Sequence, residues 1–189
     1  MNMGTGTWVL IGILAVVILL ALIFVSIYNK LVKLRARVKN AWAQIEVHLK
    51  RRFDLIPNLV STVKGYAAHE SETLEKVIAA RNKFTTAPDM KSQMDASNEL
   101  SGLLSRLMVL TESYPDLKAN ANFLSLQNDL KDTENKIAFT RQFYNDTAMK
   151  YNTAIETFPT VIIAGMFGFK DTPYFQAGEE AQAAPKVEF

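Results

Sequence analysis

The sequence predicts an all-α protein: a single N-terminal transmembrane helix that continues into an elongated antiparallel bundle of about four helices. Three observations carry this. Residues 8–28, WVLIGILAVVILLALIFVSIY, contain no charged side chain. Beyond them, apolar residues recur in steps of three and four, the period of one helix face. Strand-type alternation is missing, and 8 Gly and 6 Pro in 189 residues are few for an all-β chain.

The apolar stretch comes first. A helix of ~20 residues, rising ~1.5 Å per residue, crosses a ~30 Å hydrocarbon core. Trp8 and Tyr28 stand at its ends, where amphipathic rings favour the headgroup level. A buried core helix of this length would carry a polar stripe. A cleaved signal peptide would carry a basic n-region and a small-residue cleavage site. Met1 to Thr7 has no Lys or Arg, and Phe24 to Tyr28 is a poor site for such cleavage. The stretch therefore reads as a retained anchor.

Lys30, Lys33, Arg35, Arg37 and Lys39 follow it with no acid among them, and no basic side chain precedes it. A basic bias close to one end of a span marks the cytoplasmic side. Residues 1–7 are then a short extracytoplasmic N-terminus, 8–28 the span, 29–159 a cytoplasmic bundle domain and 160–189 a tail with an apolar segment. Two readings of the basic cluster stay open: contact with anionic headgroups at ~1 kcal/mol per charge, or a solvated stalk face.

Composition bounds the chemistry. The net charge is +2 and 49% of residues are hydrophobic. Without the anchor, the chain is still long enough to bury a core. The absence of Cys excludes disulfides, thiolate zinc sites and a cysteine nucleophile. The small net charge argues against nucleic acid as a partner.

The first bundle stripe is Leu31, Leu34, Val38, Trp42, Ile45, Leu49, Phe53 and Ile56, with Arg51, Arg52 and most neighbouring basic residues placed off it. Pro57 removes a helix hydrogen bond, yet the stripe resumes in phase at Leu59, Val63 and Tyr66, so a kink and a break are both open. Gly65 and the polar run His69, Glu70 and Ser71 mark a turn. The next helix carries Leu74, Val77, Ile78 and Phe84. A loop over Thr85 to Asp89 follows, and Ser92 with Asp95 has capping-box spacing. The third helix shows Met94, Leu100, Leu103, Leu104, Leu107, Met108 and Leu110. From Pro115, a favoured first helical residue, a long helix is expected to run unbroken to Phe158. Its stripe is Phe123, Leu126, Leu130, Ile137, Tyr144, Ala148, Tyr151, Ile155 and Phe158. Val161 to Phe169 is too short to span a bilayer. It can fold back, lie in a membrane interface or form a subunit contact. The polar stretch from Pro173 to Phe189 is expected to be loosely ordered.

Polar residues in register with these stripes demand partners, because desolvating a lone charge costs several kcal/mol. Glu70 and Arg81 on the second helix, and Glu134 and Arg141 on the last long one, are expected to form a structural ion-pair network between these helices that fixes their register. Asn128, Asn135, Asn145 and Asn152 form a second stripe, which reads as a solvated face or as a hydrogen-bonded seam between helices or subunits. No catalytic, cofactor-binding or metal residue is identified. His48 and His69 are the only histidines. The zinc-protease pattern that would follow His69-Glu70 fails at Thr73. No G-x-S-x-G elbow or phosphate loop occurs.

Taken together, the motifs resemble the LemA family. They are YNKLVKLRARVKNAWAQIEVHLKRRFDLIPNLVSTVKGYAAHE, ASNELSGLLSRL, ESYPDLKANANFLSLQNDLKDTENKIAFTRQFYNDTAMKYN, FPTVIIAGMFGFKDTPYF and the ending APKVEF. The resemblance covers residues 28–189 and is thinnest at 85–96. It implies a single-pass protein of the bacterial plasma (inner) membrane with a short outer N-terminus, a cytoplasmic helical bundle and no established enzymatic activity. It also implies an association with membrane-bound zinc metalloproteases of the HtpX type. The function expected is a membrane-anchored scaffold or adaptor with protein partners, including other copies of itself, rather than an enzyme. The alternatives are a partner of such a protease in membrane protein quality control, or an enzyme with an unrecognised site in the bundle. No heptad run specifies an oligomer, and the span lacks a GxxxG pair.

Overall fold

The computed structural model describes residues 5–176. Among these, the regular elements are α1 (Thr5–Lys64), a 3-10 turn (Ala68–Glu70), α2 (Ser71–Thr86), α3 (Met90–Thr111), α4 (Pro115–Lys118), α5 (Ala121–Glu156) and α6 (Thr160–Met166). All are helical, as the apolar periodicity requires. The polar ending beyond Gln176, expected to be loosely ordered, lies outside the described residues. The chain divides into two compact units. One holds the chain up to Asn40 together with Asp146–Thr172. The other holds Ala41–Asn145 and the chain from Pro173.

In the second unit, α1 buries Trp42, Ile45, Leu49, Phe53, Ile56, Leu59 and Val63, the stripe read from the sequence. Tyr66 departs from it. The residue is exposed, and its hydroxyl accepts a hydrogen bond from Asn120 Nδ2 at 2.9 Å. Pro57 does not break α1. A proline has no N–H, so the carbonyl four residues earlier, that of Phe53, loses its helical donor. Arg81 Nε donates to that carbonyl at 3.0 Å. Neither residue thus enters the ion-pair network expected between the helices: Arg81 binds this carbonyl, and Glu70 accepts from the Tyr114 hydroxyl at 3.2 Å. Arg81 sits in register because the Pro57 turn needs a donor there.

α2 and α3 pack as a pair. Leu74, Val77 and Ala80 are buried on α2, and Met94, Leu100, Leu104 and Leu107 on α3. Ile78, placed on the apolar face from sequence, is exposed. The N-cap of α3 is Asp89, whose side chain accepts from the Ser92 backbone at 2.9 Å. Ser92 is thus the third residue of the helix and not its cap, which corrects the Ser92–Asp95 capping box. Asp89 competes better because its carboxylate lies at the positive end of the helix and takes both the amide and the hydroxyl of Ser92.

The last long helix does not start at Pro115. α4 ends at Lys118, and α5 restarts at Ala121 behind Asn120. Asn120 Oδ1 accepts the amide of Phe123 at 3.0 Å, an N-cap bond. Leu117 is buried six residues before Phe123, out of phase with the stripe that begins there, so the apolar period itself shifts at the restart.

In the first unit, α1 is bare over the apolar stretch and begins to bury residues at Leu31 and Val38. The buried residues of α5 here are Ala148, Tyr151, Asn152 and Ile155. Phe158, placed on that stripe from sequence, is 80% exposed, because α5 has already ended at Glu156. α6 folds back with Ile163 and Ala164 buried. It ends in a left-handed cap: Gly168 has φ +66°, Gly168 N–H donates to the Gly165 carbonyl, and Phe169 N–H donates to the Ala164 carbonyl at 3.0 Å. A side chain at φ > 0 is strained, which explains glycine at this position.

Candidate functional site

The most polar place inside the second unit is centred on Arg52. It is completely buried on α1, at 0% exposure. It stands three residues after Leu49 and four before Ile56, so it belongs to the buried face and not beside it, as its charge suggested. Arg52 Nη1 donates to Glu134 Oε2 and to Ser101 Oγ, both at 2.8 Å. Its Nη2 donates to Ser97 Oγ at 2.7 Å and to the Ser97 carbonyl at 3.1 Å. Arg141 Nη2 donates to the same Ser97 hydroxyl at 2.9 Å, and its guanidinium lies 4.1 Å from the Phe175 ring centroid.

The network anticipated around Glu134 and Arg141 therefore exists with a different partner. Glu134 pairs with Arg52, and Arg141 is bound through Ser97 and Phe175. Two guanidinium groups share one carboxylate, and the Nε of each is buried without a hydrogen-bond partner. Burial lowers the pKa of Arg52 while Glu134 opposes the shift. Burial, then the nearby charge of Arg52, brings Arg141 down to about 10. Both remain cations at neutral pH. The cluster ties α1, α3 and α5 together.

A second set of polar contacts captures the chain after α6. Tyr-Asn occurs twice on α5, at 144–145 and 151–152. In the first unit, Asn152 exchanges two hydrogen bonds with the Thr172 backbone, each 2.9 Å, and Tyr151 donates to the Lys170 carbonyl. In the second unit, Asn145 exchanges two with the Phe175 backbone, at 2.9 and 2.8 Å, and Tyr144 donates to the Pro173 carbonyl. Burial pushes the Tyr144 phenol well above its usual range. Phe175 is itself buried, against Trp42. The asparagine stripe thus splits: Asn128 and Asn135 are exposed, whereas Asn145 and Asn152 clip backbone of their own chain. Neither pair is a seam between packed helices. The repeated Tyr-Asn was the available signal, and sequence reading took only its Asn.

A shallow, open groove of about 380 Å³ lies between His48 and the α5 residues Asp132, Asn135, Lys136, Phe139 and Thr140. Its one hydroxyl, that of Thr140, donates to the Lys136 and Ile137 carbonyls of its own helix. His69 is exposed in the 3-10 turn, and no group of three or more His, Asp or Glu able to hold a metal occurs among the described residues.

The remaining candidate is apolar. The exposed stretch of α1 is long and apolar enough to cross a membrane. α6 and its flanks expose Phe158, Val161, Ile162, Met166 and Phe167. On the bundle, Val47, Val109 and Phe139 are also well exposed.

A sequence model of the LemA family matches residues 41–189. The chain is 28% identical to "Protein LemA" of Metamycoplasma hominis, over 83% of this chain and 72% of the relative. It is 26% identical to "Magnetosome protein MamQ" of Magnetospirillum gryphiswaldense, over 98% of this chain and 80% of that protein. A "Magnetosome protein MamQ 2" of Paramagnetospirillum magneticum is 26% identical over 94% of this chain and 75% of its own length.

Proposed function

The chain belongs to the LemA family, and from that membership and its bare apolar helix we infer that it is a membrane-tethered scaffold that presents a helical bundle to protein partners. The observation that carries this reading is the contrast within α1. Residues 8–23 are exposed all round, while residues 42–63 of the same helix bury one face in a core. A helix left uncovered over such a length needs lipid around it. The basic residues from Lys30 to Lys39 support a cytoplasmic bundle and an outer N-terminus in the bacterial inner membrane. The interior polar groups are spent on each other and the groove is open, which favours a surface that binds over a cavity that reacts.

The test is crosslinking in intact membranes. A photoreactive side chain replaces Phe139 or Val109, both more than 70% exposed. Expected is position-dependent capture of a small set of proteins. A membrane zinc metalloprotease and further copies of this chain are the first to be sought. Capture of nothing at either position would overturn the scaffold reading, as would a purified chain that turns over a small substrate.

A further inference from the structure

The apolar face of α6 has no partner in its own unit, and the surface it continues is that of the span. Phe158, Val161, Ile162, Met166 and Phe167 are exposed, while Ile163, Ala164 and Phe169 are buried. The exposed positions within α6 are 161, 162, 165 and 166, which is one side of a helix. From Thr157 to Phe169 no residue is charged, and Glu156 and Lys170 flank the run. Its depth can be read from the contacts. The Phe167 ring centroid lies 4.8 Å from that of Tyr28 and 5.9 Å from that of Phe24, on the last turn of the apolar stretch. Beside it, Arg35 lies 4.8 Å from the Phe169 ring centroid, on the charged side of that boundary.

We propose that α6, with Phe158 and Phe167, is an interfacial membrane element that lies in the headgroup layer beside the span and inserts its apolar face into the acyl boundary. The occupant is the lipid of the leaflet that α1 crosses. The argument is continuity. Whatever surrounds Phe24 and its exposed neighbours Ile23 and Val25 also reaches Phe167, because the rings are in contact. The face is too short to span, and a helix of this kind binds in the interface plane in proportion to the apolar area it buries. Lys30 and Lys33 follow directly on the sequence from Tyr28, where anionic headgroups would add to the attraction.

The proposal rests on α1 spanning the membrane, so the experiment measures both. The chain has no Cys, which permits one label per variant. Full-length L19C, M166C and V109C are labelled with an environment-sensitive dye. They are reconstituted in phosphatidylethanolamine–phosphatidylglycerol vesicles that carry spin labels at a shallow or a deep acyl carbon. Expected is quenching of the Met166 position about twofold stronger by the shallow label than by the deep one. Leu19 shows the opposite preference, and Val109 is quenched by neither. If Leu19 is quenched and Met166 behaves like Val109, the span stands and the interfacial element is overturned. A Met166 dye that is shielded from water yet unquenched by either lipid also overturns it, in favour of a subunit contact. An unquenched Leu19 removes the span itself. Circular dichroism of each variant excludes misfolding as the cause.

Discussion

One helix meets two solvents. Residues 8–23 of α1 are apolar on every side and exposed, while residues 42–63 are apolar on one stripe, which is buried. The difference teaches that the angular spread of apolar residues reports what surrounds a helix. A stripe needs a protein face opposite it, and a full circumference needs a medium that is apolar everywhere.

The sharpest way to break the comparison is to exchange what each half tolerates. Arg52 survives inside the bundle because Glu134, Ser97 and Ser101 receive it. Arg52→Met should cost about 3 kcal/mol, because it strands the buried Ser97 groups, while the half-exposed Glu134 regains water. Arg141→Met, which removes the surplus cation, should be close to neutral. Thermal unfolding of the full chain in detergent measures both. On the other half, Ile18→Arg meets no such partners and should cost about 3 kcal/mol of insertion. The readout is the share of chain retained in carbonate-washed membranes.

The next effect compares the same residue in both settings. Leu49→Ala should destabilise the bundle by about 3 kcal/mol through its cavity. Leu19→Ala should change stability by less than about 1 kcal/mol, since lipid fills the space a protein core cannot. A large loss at Leu19 would mean that its side chain is packed against protein.

Within α5 the contrast is between clipping and solvated asparagines. Asn145→Ala removes both bonds to the Phe175 backbone and should cost about 2 kcal/mol. Asn128→Ala, on an exposed face, should stabilise by about 0.5 kcal/mol through helix propensity alone. Equal effects would show that the clip contributes nothing.

The smallest effect concerns Pro57. Arg81→Ala should cost about 1 kcal/mol by stranding the Phe53 carbonyl. In a Pro57→Ala background, where the amide is restored, the same substitution should cost nearly nothing. A double-mutant cycle measures that coupling.

These examples also show where sequence reading stopped. Buried positions from Leu31 to Val63 were legible because burial repeats with the helix period. Arg52 was missed because charge outweighed position in the reading, although its spacing from Leu49 and Ile56 marked it. The restart at Asn120 was legible from Leu117, which is out of phase with the stripe from Phe123, but that stripe was read only from Phe123 onward. Phe158 was placed on the stripe because periodicity does not say where a helix ends. The tail was the least legible part. Its hydrogen bonds use backbone, which carries no sequence signal, and only the paired Tyr-Asn of α5 hinted at them.

The residue sequence alone determined the helical class, the apolar anchor and the faces that pack, since each follows from local composition and period. Tertiary structure decided which polar groups meet. Arg52 with Glu134, Arg81 with the Phe53 carbonyl and Asn145 with Phe175 are distant in sequence, and a hydrogen bond between distant residues is specified by where helices place their donors and acceptors, which no local pattern encodes.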